Sequence, residues 1–572
     1  MTTSLLTEDY AVIVVMLLIS SGIGVYYWLT GGRQKSTQEY FVASKSMSVI
    51  PVAIGLMASY LSAVSLLGVS SETYVYGSQY AVINISYGIA TAFVVYFYLP
   101  VFFELDATSA FEYLQKRFGT PTRLLASVAF LLQLLLYTGV VLYAPALALE
   151  ATTGISRNAS VIAIGLICTF YSTIGGIKAV LITDVFQSGL MIIAVITVIV
   201  TAAMDVGGLE QIWEIADNGS RLEFDNVSID PTVRHTWWSL SFGGFFTYLS
   251  LYGVNQVQVQ RMLTVQNLGA AKRALWWSWP IASVMSLILC FSGLAIYTKY
   301  RECDPLTLGR ITSNDQLMPL YVMDTLSQYP GLPGLFIAGI FSAGLSTISA
   351  TVNSLSAVIL EDYVKPLHRN EMTPRQSIVA SKVLAAVVGL VCLGVAFLAQ
   401  KLGGLLQAAL TIFGVAGGPL LGTFTLGLFS EAGNQKGAIT GLILGLAFSF
   451  WIGFGQPKAP IPTLPVSTIG CILPNNFNKF SLVNDSYFYL YRLSYMWYCP
   501  LGFLSSFITG WIISWLTRMI FKEKEIALDP RLFAPIVASR IKKRLEITKS
   551  LLVHSGASAS ERTGMPAFSS SA

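Results

Sequence analysis

The chain contains thirteen apolar runs, each about as long as a helix that crosses a lipid bilayer. A crossing helix needs about 20 residues, and runs of this length are too long for barrel strands. Apolar residues make up 54% of the 572 residues and charged residues 11%, whereas soluble domains carry about 25% charged residues. We therefore predict an all-α membrane protein with about thirteen transmembrane helices, with the bilayer as its main partner. The predicted spans are 10–30, 48–77, 80–103, 124–149, 158–175, 180–203, 238–258, 274–298, 334–360, 378–400, 404–429, 437–455 and 497–517.

The positions of the basic residues predict how these helices are oriented. With the N-terminus outside, 25 of the 35 Lys and Arg residues fall on the cytoplasmic side or in the tail, as the positive-inside rule expects. Asn-X-Ser triplets at Asn218, Asn226 and Asn484 all fall in predicted extracellular loops, where they predict glycosylation. Cys303 and Cys471 fall in outer loops as well, where a disulfide can form. We expect a multi-pass plasma-membrane protein with an extracellular N-terminus and a cytoplasmic C-terminus.

Several classes of function do not fit this composition. The net charge of +5 is not concentrated in a folded domain, so we expect no nucleic-acid partner. The three His residues lie outside the apolar runs, which gives no transition-metal site. A membrane enzyme would need paired His, Cys or acidic side chains within the spans, and we find none. The cytoplasmic tail, 521–572, contains a basic stretch at 540–544 that suits anionic lipid or water equally well, and its Ser-rich end is predicted to be disordered.

Two of the predicted spans look interrupted. The run 48–77 is unusually long and rich in Ser and Gly, and the run 238–258 contains Gly243-Gly244 and Gly253-Val-Asn-Gln256. Broken helices bind ions and anions in transporters through exposed carbonyls and half-helix ends. Small residues also permit close helix packing, and for either span alone this is the slightly stronger interpretation. The positions favour breaks, because each opens a set of five spans, 48–203 and 238–429, as in an inverted 5+5 repeat. The segment 1–47 precedes the repeats, 204–237 forms an extracellular loop, and 430–520 adds peripheral helices with a loop at 456–496.

Polar side chains provide two further candidates. Asp184 lies just inside the span that starts near 180, where an ionisable residue indicates either function or an interfacial helix cap, with equal weight. Hydroxyl-bearing residues recur along one face of 342–353. Sodium prefers hard oxygen ligands, although Ser and Thr most often bond back to their own helix.

The chain resembles the sodium:solute symporter family, and in particular its sodium-coupled monocarboxylate, multivitamin and iodide branch. The motifs that carry the resemblance span about residues 9–520. They are Tyr171-Ser-Thr-Ile-Gly-Gly-Ile-Lys-Ala-Val180, Thr183-Asp-Val-Phe-Gln187, Tyr252-Gly-Val-Asn-Gln-Val-Gln-Val-Gln-Arg261, 342–353 and Glu361-Asp-Tyr-Val-Lys-Pro366. The resemblance implies the LeuT-like fold of ten core helices in inverted repeats with peripheral helices around them.

The resemblance also implies where sodium, the co-transported ion, and the solute bind. A sodium site would use the carbonyls of Ala58, Leu61 and Ala343 with the hydroxyls of Ser346 and Thr347. A second sodium site would use Ser62, Tyr137, Asp184, Gln187 and Gln256. The solute would lie near Tyr60, Ser65, Tyr248, Tyr252, Thr411 and Phe413.

Departures from the family pattern narrow the expected solute. The sugar-transporting branch has an acidic residue where Asn255 stands and an aromatic-rich sugar site, which Tyr60, Leu251 and Gly253 do not reproduce, so we do not expect a hexose. The iodide pattern has glutamine where Ser65 stands, which argues against iodide and favours a substrate that can use hydroxyl contacts, such as a carboxylate. We therefore expect sodium-coupled symport of a small organic anion by alternating access. The alternatives are an iodide or neutral-solute symporter, and a non-transporting sensor or channel on the same fold.

Overall fold

The computed structural model describes residues 5–30, 41–105, 109–367, 372–399, 404–471, 487–521 and 528–554. Within these ranges the regular structure is helical, apart from one isolated β-bridge between Met47 and Val265. The α-helices are α1 Thr7–Thr30, α2 Val49–Tyr60, α3 Ala63–Tyr76, α4 Ile83–Phe93, α5 Leu99–Glu104, α6 Ala110–Phe118, α7 Thr120–Thr153, α8 Arg157–Val206, α9 Leu209–Asn218, α10 Trp237–Gly253, α11 Gln256–Met262, α12 Leu268–Tyr300, α13 Leu317–Leu326, α14 Leu332–Ile359, α15 Lys365–Leu367, α16 Pro374–Ala399, α17 Leu405–Phe429, α18 Gln435–Phe454, α19 Tyr498–Phe521 and α20 Pro535–His554.

The predicted all-α membrane architecture is confirmed. Ten helical segments in the described ranges are long and apolar enough to cross a membrane, and the bent pair α2 and α3 makes eleven. The remaining two predicted spans correspond to Arg157–Phe170, a shorter apolar part of α8, and to α10 with α11. Helix α8 has 50 residues. At 1.5 Å per residue this is about 75 Å of helix, more than twice the hydrocarbon thickness, so α8 is long enough to contain both predicted spans, 158–175 and 180–203.

Both predicted interruptions are present. The axes of α2 and α3 meet at 59°, and Leu61 and Ser62 lie between them. Helix α10 ends at Gly253, and Val254 and Asn255 separate it from α11. The Asn255 side chain accepts a hydrogen bond from the Val257 amide, which caps the new helix in the usual way. The helix is therefore interrupted within each of the two predicted spans, 48–77 and 238–258.

Burial separates a central group of helices from a lipid-facing group. The most apolar windows of α14 and α17 are both 89% buried, whereas that of α1 is 28% buried. Close crossings in the centre depend on glycine: a Cβ on Gly339 of α14 would lie 2.6 Å from Ala194 in α8. Small residues commonly allow such approaches in membrane bundles. The hydroxyl-bearing stretch of α14 is consequently in the protein interior and not in lipid.

The two ends of the molecule can be distinguished by their contacts. Cys303 and Cys471 form a disulfide, and this end also holds the C-terminus of α3, because Tyr74 donates a hydrogen bond to Asp304. We call it the disulfide end. Phe533, just before the last helix, and apolar residues of that helix, α20, pack against Phe429 at the end of α17. Asn484 and the predicted disordered end of the tail lie outside the described residues.

Candidate sodium and solute site

The break between α2 and α3 exposes main-chain oxygens in the protein core. Leu61 and Ser62 leave the helical region of the backbone, with ψ of 87° and 175°. The Ser62 amide donates to the Tyr60 carbonyl at 3.1 Å and so does not pair with Ala58, four residues earlier. Among the hydrogen bonds between described residues, none ends on the carbonyl of Ala58 or of Leu61. Buried carbonyls seldom lack a partner, so these two are free to coordinate a cation.

The predicted partners of these carbonyls on α14 are buried and adjacent to one another. Ser346 is fully buried, and its hydroxyl donates a hydrogen bond to a carboxylate oxygen of Asp184 in α8 at 2.5 Å instead of to its own helix. Thr347 instead donates to the Ala343 carbonyl at 3.1 Å, which is the bonding back to the same helix that the sequence analysis weighed. Ser346 is thus the predicted sodium ligand that already contacts another helix.

A buried ion pair joins this region to the broken helices. Arg261 in α11 donates to Asp184 in α8 at 2.5 Å and to the Gly55 carbonyl in α2 at 2.9 Å, and both charged side chains are fully buried. A Cβ on Gly55 would lie 2.8 Å from the Arg261 guanidinium, so only glycine leaves room for it. Through Ser346 this one ion pair connects α2, α8, α11 and α14.

Arg261 corrects the predicted topology: it is one of the 25 basic residues expected on the cytoplasmic side, directly after the predicted span 238–258, but its side chain is fully buried. The short helix α11 turns it inward, and a lone buried cation would be far too costly without its acidic partner. Its position in the QVQVQR motif gave no indication of burial, since Asp184 lies 77 residues away.

The residues predicted for a second sodium site have different partners in this structure. Tyr137 lies beside Ser62, and Asp184 binds Arg261 as described above. The side-chain nitrogen of Gln187 donates to the Ser20 hydroxyl in α1 at 3.4 Å. Gln256 accepts a hydrogen bond from the Ala110 amide at the start of α6. Only Ser62 and Tyr137 are thus brought together by these contacts, and the site remains a prediction.

Four of the residues predicted to contact solute belong to one connected group of side chains. Ser65 donates to the Tyr60 carbonyl at 3.4 Å. The rings of Tyr248 and Tyr252 stack with centroids 4.2 Å apart. Tyr87 of α4, which the sequence analysis did not identify, joins the halves: its hydroxyl lies 2.7 Å from that of Tyr60, and its ring packs 4.9 Å from Tyr248.

The other two predicted solute residues lie on α17. Thr411 and Phe413 are 7% and 8% exposed. The Phe413 ring is 4.5 Å from that of Tyr137, and Tyr137 in turn lies beside the break at Ser62. Phe413 is thus connected to the break through Tyr137, whereas the methyl group of Thr411 lies 3.6 Å from the position of a Cβ on Gly453 in α18. The six residues predicted to contact the solute all carry neutral hydroxyl or aromatic side chains.

Comparisons with known proteins agree with this geometry. The model of the sodium:solute symporter family matches residues 40–445. A putative sodium-dependent multivitamin transporter of Drosophila melanogaster is 51% identical over 557 residues, covering 94% of this chain and 92% of the relative. Sodium-coupled monocarboxylate transporter 1 of Mus musculus is 40% identical over 552 residues, covering 92% and 89%. In fold, a substrate-bound outward-open sodium-coupled sialic acid symporter superimposes with a TM-score of 0.74 at 24% identity, covering 89% of this chain and 98% of that one. The chain belongs to the sodium:solute symporter family and is a sodium-coupled solute symporter with the LeuT-like fold.

Proposed function

We propose that this symporter carries a small organic anion, a monocarboxylate or a vitamin-type carboxylate, together with sodium. The observation that carries the proposal is sequence similarity. Over more than nine tenths of its length, the chain is 51% identical to a putative multivitamin transporter and 40% identical to a monocarboxylate transporter. The break between α2 and α3 supports it. Helix α3 starts at the break and its N-cap residue Ser62 makes no side-chain capping bond, and a free helix N-terminus favours a carboxylate. The hydroxyls of Tyr60 and Tyr87 lie 2.7 Å apart and could also contact it.

Sodium is proposed to bind between the Ala58, Leu61 and Ala343 carbonyls and the hydroxyls of Ser346 and Thr347. The two unpaired carbonyls on α2 and the inward-facing Ser346 hydroxyl support this assignment. Neutral oxygens suit a transported ion, because it must be released in every cycle. A second sodium is proposed to bind at Ser62 and Tyr137, together with Asp184, Gln187 and Gln256. For this, Gln256 and the other side chains would have to leave their present partners.

We further propose that the disulfide end faces outward and that the C-terminus is cytoplasmic, in the plasma membrane. The disulfide suits an oxidising compartment, and the bias of Lys and Arg has the matching sign. Asn218 and Asn226 lie at this same end, on α9 and the loop that follows it, and are proposed to be glycosylated. Asn218 is exposed, and the Asn226 side chain is half-buried against Glu223.

Uptake of labelled lactate, pyruvate, nicotinate, biotin and pantothenate tests the proposed solute class. We expect at least one to accumulate in sodium buffer and not in choline buffer. A matched control is the same assay with labelled hexose and iodide. Accumulation of iodide or hexose with none of the carboxylates would overturn the proposed solute class and leave the sodium coupling intact.

A further inference from the structure

A buried charged cluster lies between α3 and α17 at the disulfide end. Glu72 of α3 and Arg234, just before α10, form a two-pronged ion pair with distances of 2.5 and 2.9 Å. The third nitrogen of the same guanidinium donates to the Gln407 side chain of α17 at 2.9 Å. The side chains of Glu72 and Arg234 are 6% and 10% exposed. We call Glu72, Arg234 and Gln407 the α3–α17 latch.

The groups around the latch hold its charges in place. The Arg234 guanidinium lies 4.1 Å from the centre of the Tyr76 ring and 4.8 Å from that of Tyr495. His235 approaches Glu72 at 3.1 Å and the Tyr495 hydroxyl at 2.9 Å. Each charged group therefore has several partners. For stability alone, packed apolar residues often do as well as a buried ion pair, so stability by itself does not account for these charges.

Two further contacts join the same helices near the latch. Asp315 accepts a hydrogen bond from the Leu405 amide, at the start of α17, at 3.0 Å. Its other oxygen lies 3.5 Å from the Ser71 hydroxyl of α3. One turn earlier in α3, a Cβ on Gly68 would lie 2.8 Å from the Leu406 side chain of α17. The start of α17 is thus seated directly against α3.

The latch lies above the proposed solute site. Ser65 is seven residues before Glu72, so it lies on the same face of α3 about 10 Å deeper. Thr411 follows Gln407 by four residues, so it lies on the same face of α17 about 6 Å deeper. A solute that enters from the disulfide end toward Ser65 and Thr411 would have to pass between the two sides of the latch.

We propose that the α3–α17 latch is the gate that closes the solute path at the disulfide end. The Arg234–Gln407 hydrogen bond separates when the gate opens, while the Glu72–Arg234 ion pair stays on the α3 side and keeps the charges compensated. The gate rests on the solute residues proposed above, and the following test needs no transported solute, so its failure is distinct from failure of the proposed function.

The test measures how fast a membrane-impermeant methanethiosulfonate reagent, added outside intact cells, modifies Ser65→Cys. We expect slow modification while the latch is closed. Gln407→Ala removes the acceptor across the gate but leaves Arg234 paired with Glu72, so the chain still folds. A hydrogen bond to a charged group is worth about 1.5 kcal/mol or more, which corresponds to about tenfold. With Gln407→Ala, Ser65→Cys should therefore be modified about tenfold faster, and Gln407→Glu, which adds an ion pair, should slow modification.

Arg310→Gln provides the matched control. It removes an ion pair at the same end, 2.7 Å from Asp324, that links neither α3 nor α17. The rate in this variant should equal that of Ser65→Cys alone, and the parent with Ser65 should not react, since Cys168, Cys290, Cys392 and Cys499 are buried. Surface biotinylation verifies that each variant reaches the plasma membrane. Equal modification with Gln407 and with Gln407→Ala, including no modification of either, would overturn the gate.

Discussion

Ser346 is the residue at which the proposed sodium site and the buried ion pair meet. Its hydroxyl donates to Asp184, and the lone pairs of a hydroxyl that donates are still available to a cation. Asp184 in turn is held by Arg261, which also binds the Gly55 carbonyl one turn before Ala58. The ion pair therefore fixes the hydroxyl relative to the broken helix, and we assign Asp184 and Arg261 a positioning role.

Ser346→Ala tests this assignment. The substitution removes both a proposed ligand and the hydrogen bond to Asp184, so we expect the sodium concentration for half-maximal uptake to rise at least about tenfold, the equivalent of about 1.4 kcal/mol. Sodium titration of solute uptake measures it. Ser356→Ala is the control, because the buried Ser356 hydroxyl bonds back to Asn353 in the same helix. Equal sodium dependence in both variants would contradict a sodium site at Ser346.

Asp315 gives the gate a predicted dependence on pH. Burial raises its pKa to about 6, and the pKa should fall toward about 3.9 when the gate opens and water reaches the carboxyl. Between these two values the closed form binds the proton more tightly than the open form, so acid stabilises the closed form. At about pH 5 the ratio of closed to open protein should be about tenfold higher than at neutral pH, and the effect should disappear above about pH 6. The titratable groups facing Asp315 are Glu72 and Tyr76 of α3 and Tyr143 of α7.

Modification of Ser65→Cys at about pH 5 and about pH 7.5 measures this effect, with the double variant Ser65→Cys/Asp315→Asn as the reference at each pH. The reference cancels the intrinsic pH dependence of the thiol reaction. His235, whose pKa burial lowers, is present in both proteins. We expect the rate in the protein that keeps Asp315, divided by the rate in the double variant, to fall about tenfold at the lower pH. An unchanged ratio would exclude Asp315 as the group that responds.

At the scale of elements, the two interrupted helices determine where the functional groups lie. The break at 61–62 leaves carbonyls of α2 unpaired, and the break at 254–255 lets α11 turn Arg261 into the core. The crossing of α2 with α8 and α11 is close, because a Cβ on Gly55 would lie 2.6 Å from the Leu181 side chain and 2.8 Å from Arg261. Packing at this one glycine sets the separation of three elements.

Gly55→Ala should therefore destabilise the protein. Overpacking of a filled core costs about 1–3 kcal/mol, and we expect a lower thermal unfolding midpoint of the purified protein in detergent. Gly22→Ala in α1 is the matched control, since nothing lies within 4 Å of a Cβ there and alanine favours the helix. A midpoint for Gly55→Ala equal to that of Gly22→Ala would contradict the tight crossing.

The sequence predicted the elements better than their partners. Apolar length identified the spans, and Ser and Gly content together with position identified both breaks, because these signals are local. Arg261 and Glu72 were missed because their burial depends on Asp184 and Arg234, which lie 77 and 162 residues away in the sequence. Tyr87 was missed for a similar reason: an isolated Tyr in an apolar span indicates nothing until Tyr60 and Tyr248 surround it.

At the scale of the whole molecule, coupling to sodium sets a limit on how far a solute can be accumulated. One charge crossing about 60 mV contributes about 1.4 kcal/mol, and a tenfold sodium gradient contributes about 1.4 kcal/mol per ion. One sodium with a monoanion supports only about tenfold accumulation. Two sodium ions with a monoanion give about 4.2 kcal/mol, or about a thousandfold.

We therefore expect transport of a monocarboxylate to be electrogenic, with two sodium ions per solute. Under voltage clamp, adding the solute should evoke an inward current of one positive charge per molecule of labelled solute taken up. The same cells in choline buffer are the control. Uptake without current would indicate a single sodium ion, and sodium current without uptake would indicate a channel.

The pairing of Asp184 with Arg261 has a consequence for how the membrane field acts on this protein. Opposite charges fixed 2.5 Å apart form a small dipole with no net charge, so displacing them together through the field does almost no electrical work. This pair therefore adds little voltage dependence to the step in which the empty protein resets, although it places two full charges in the core.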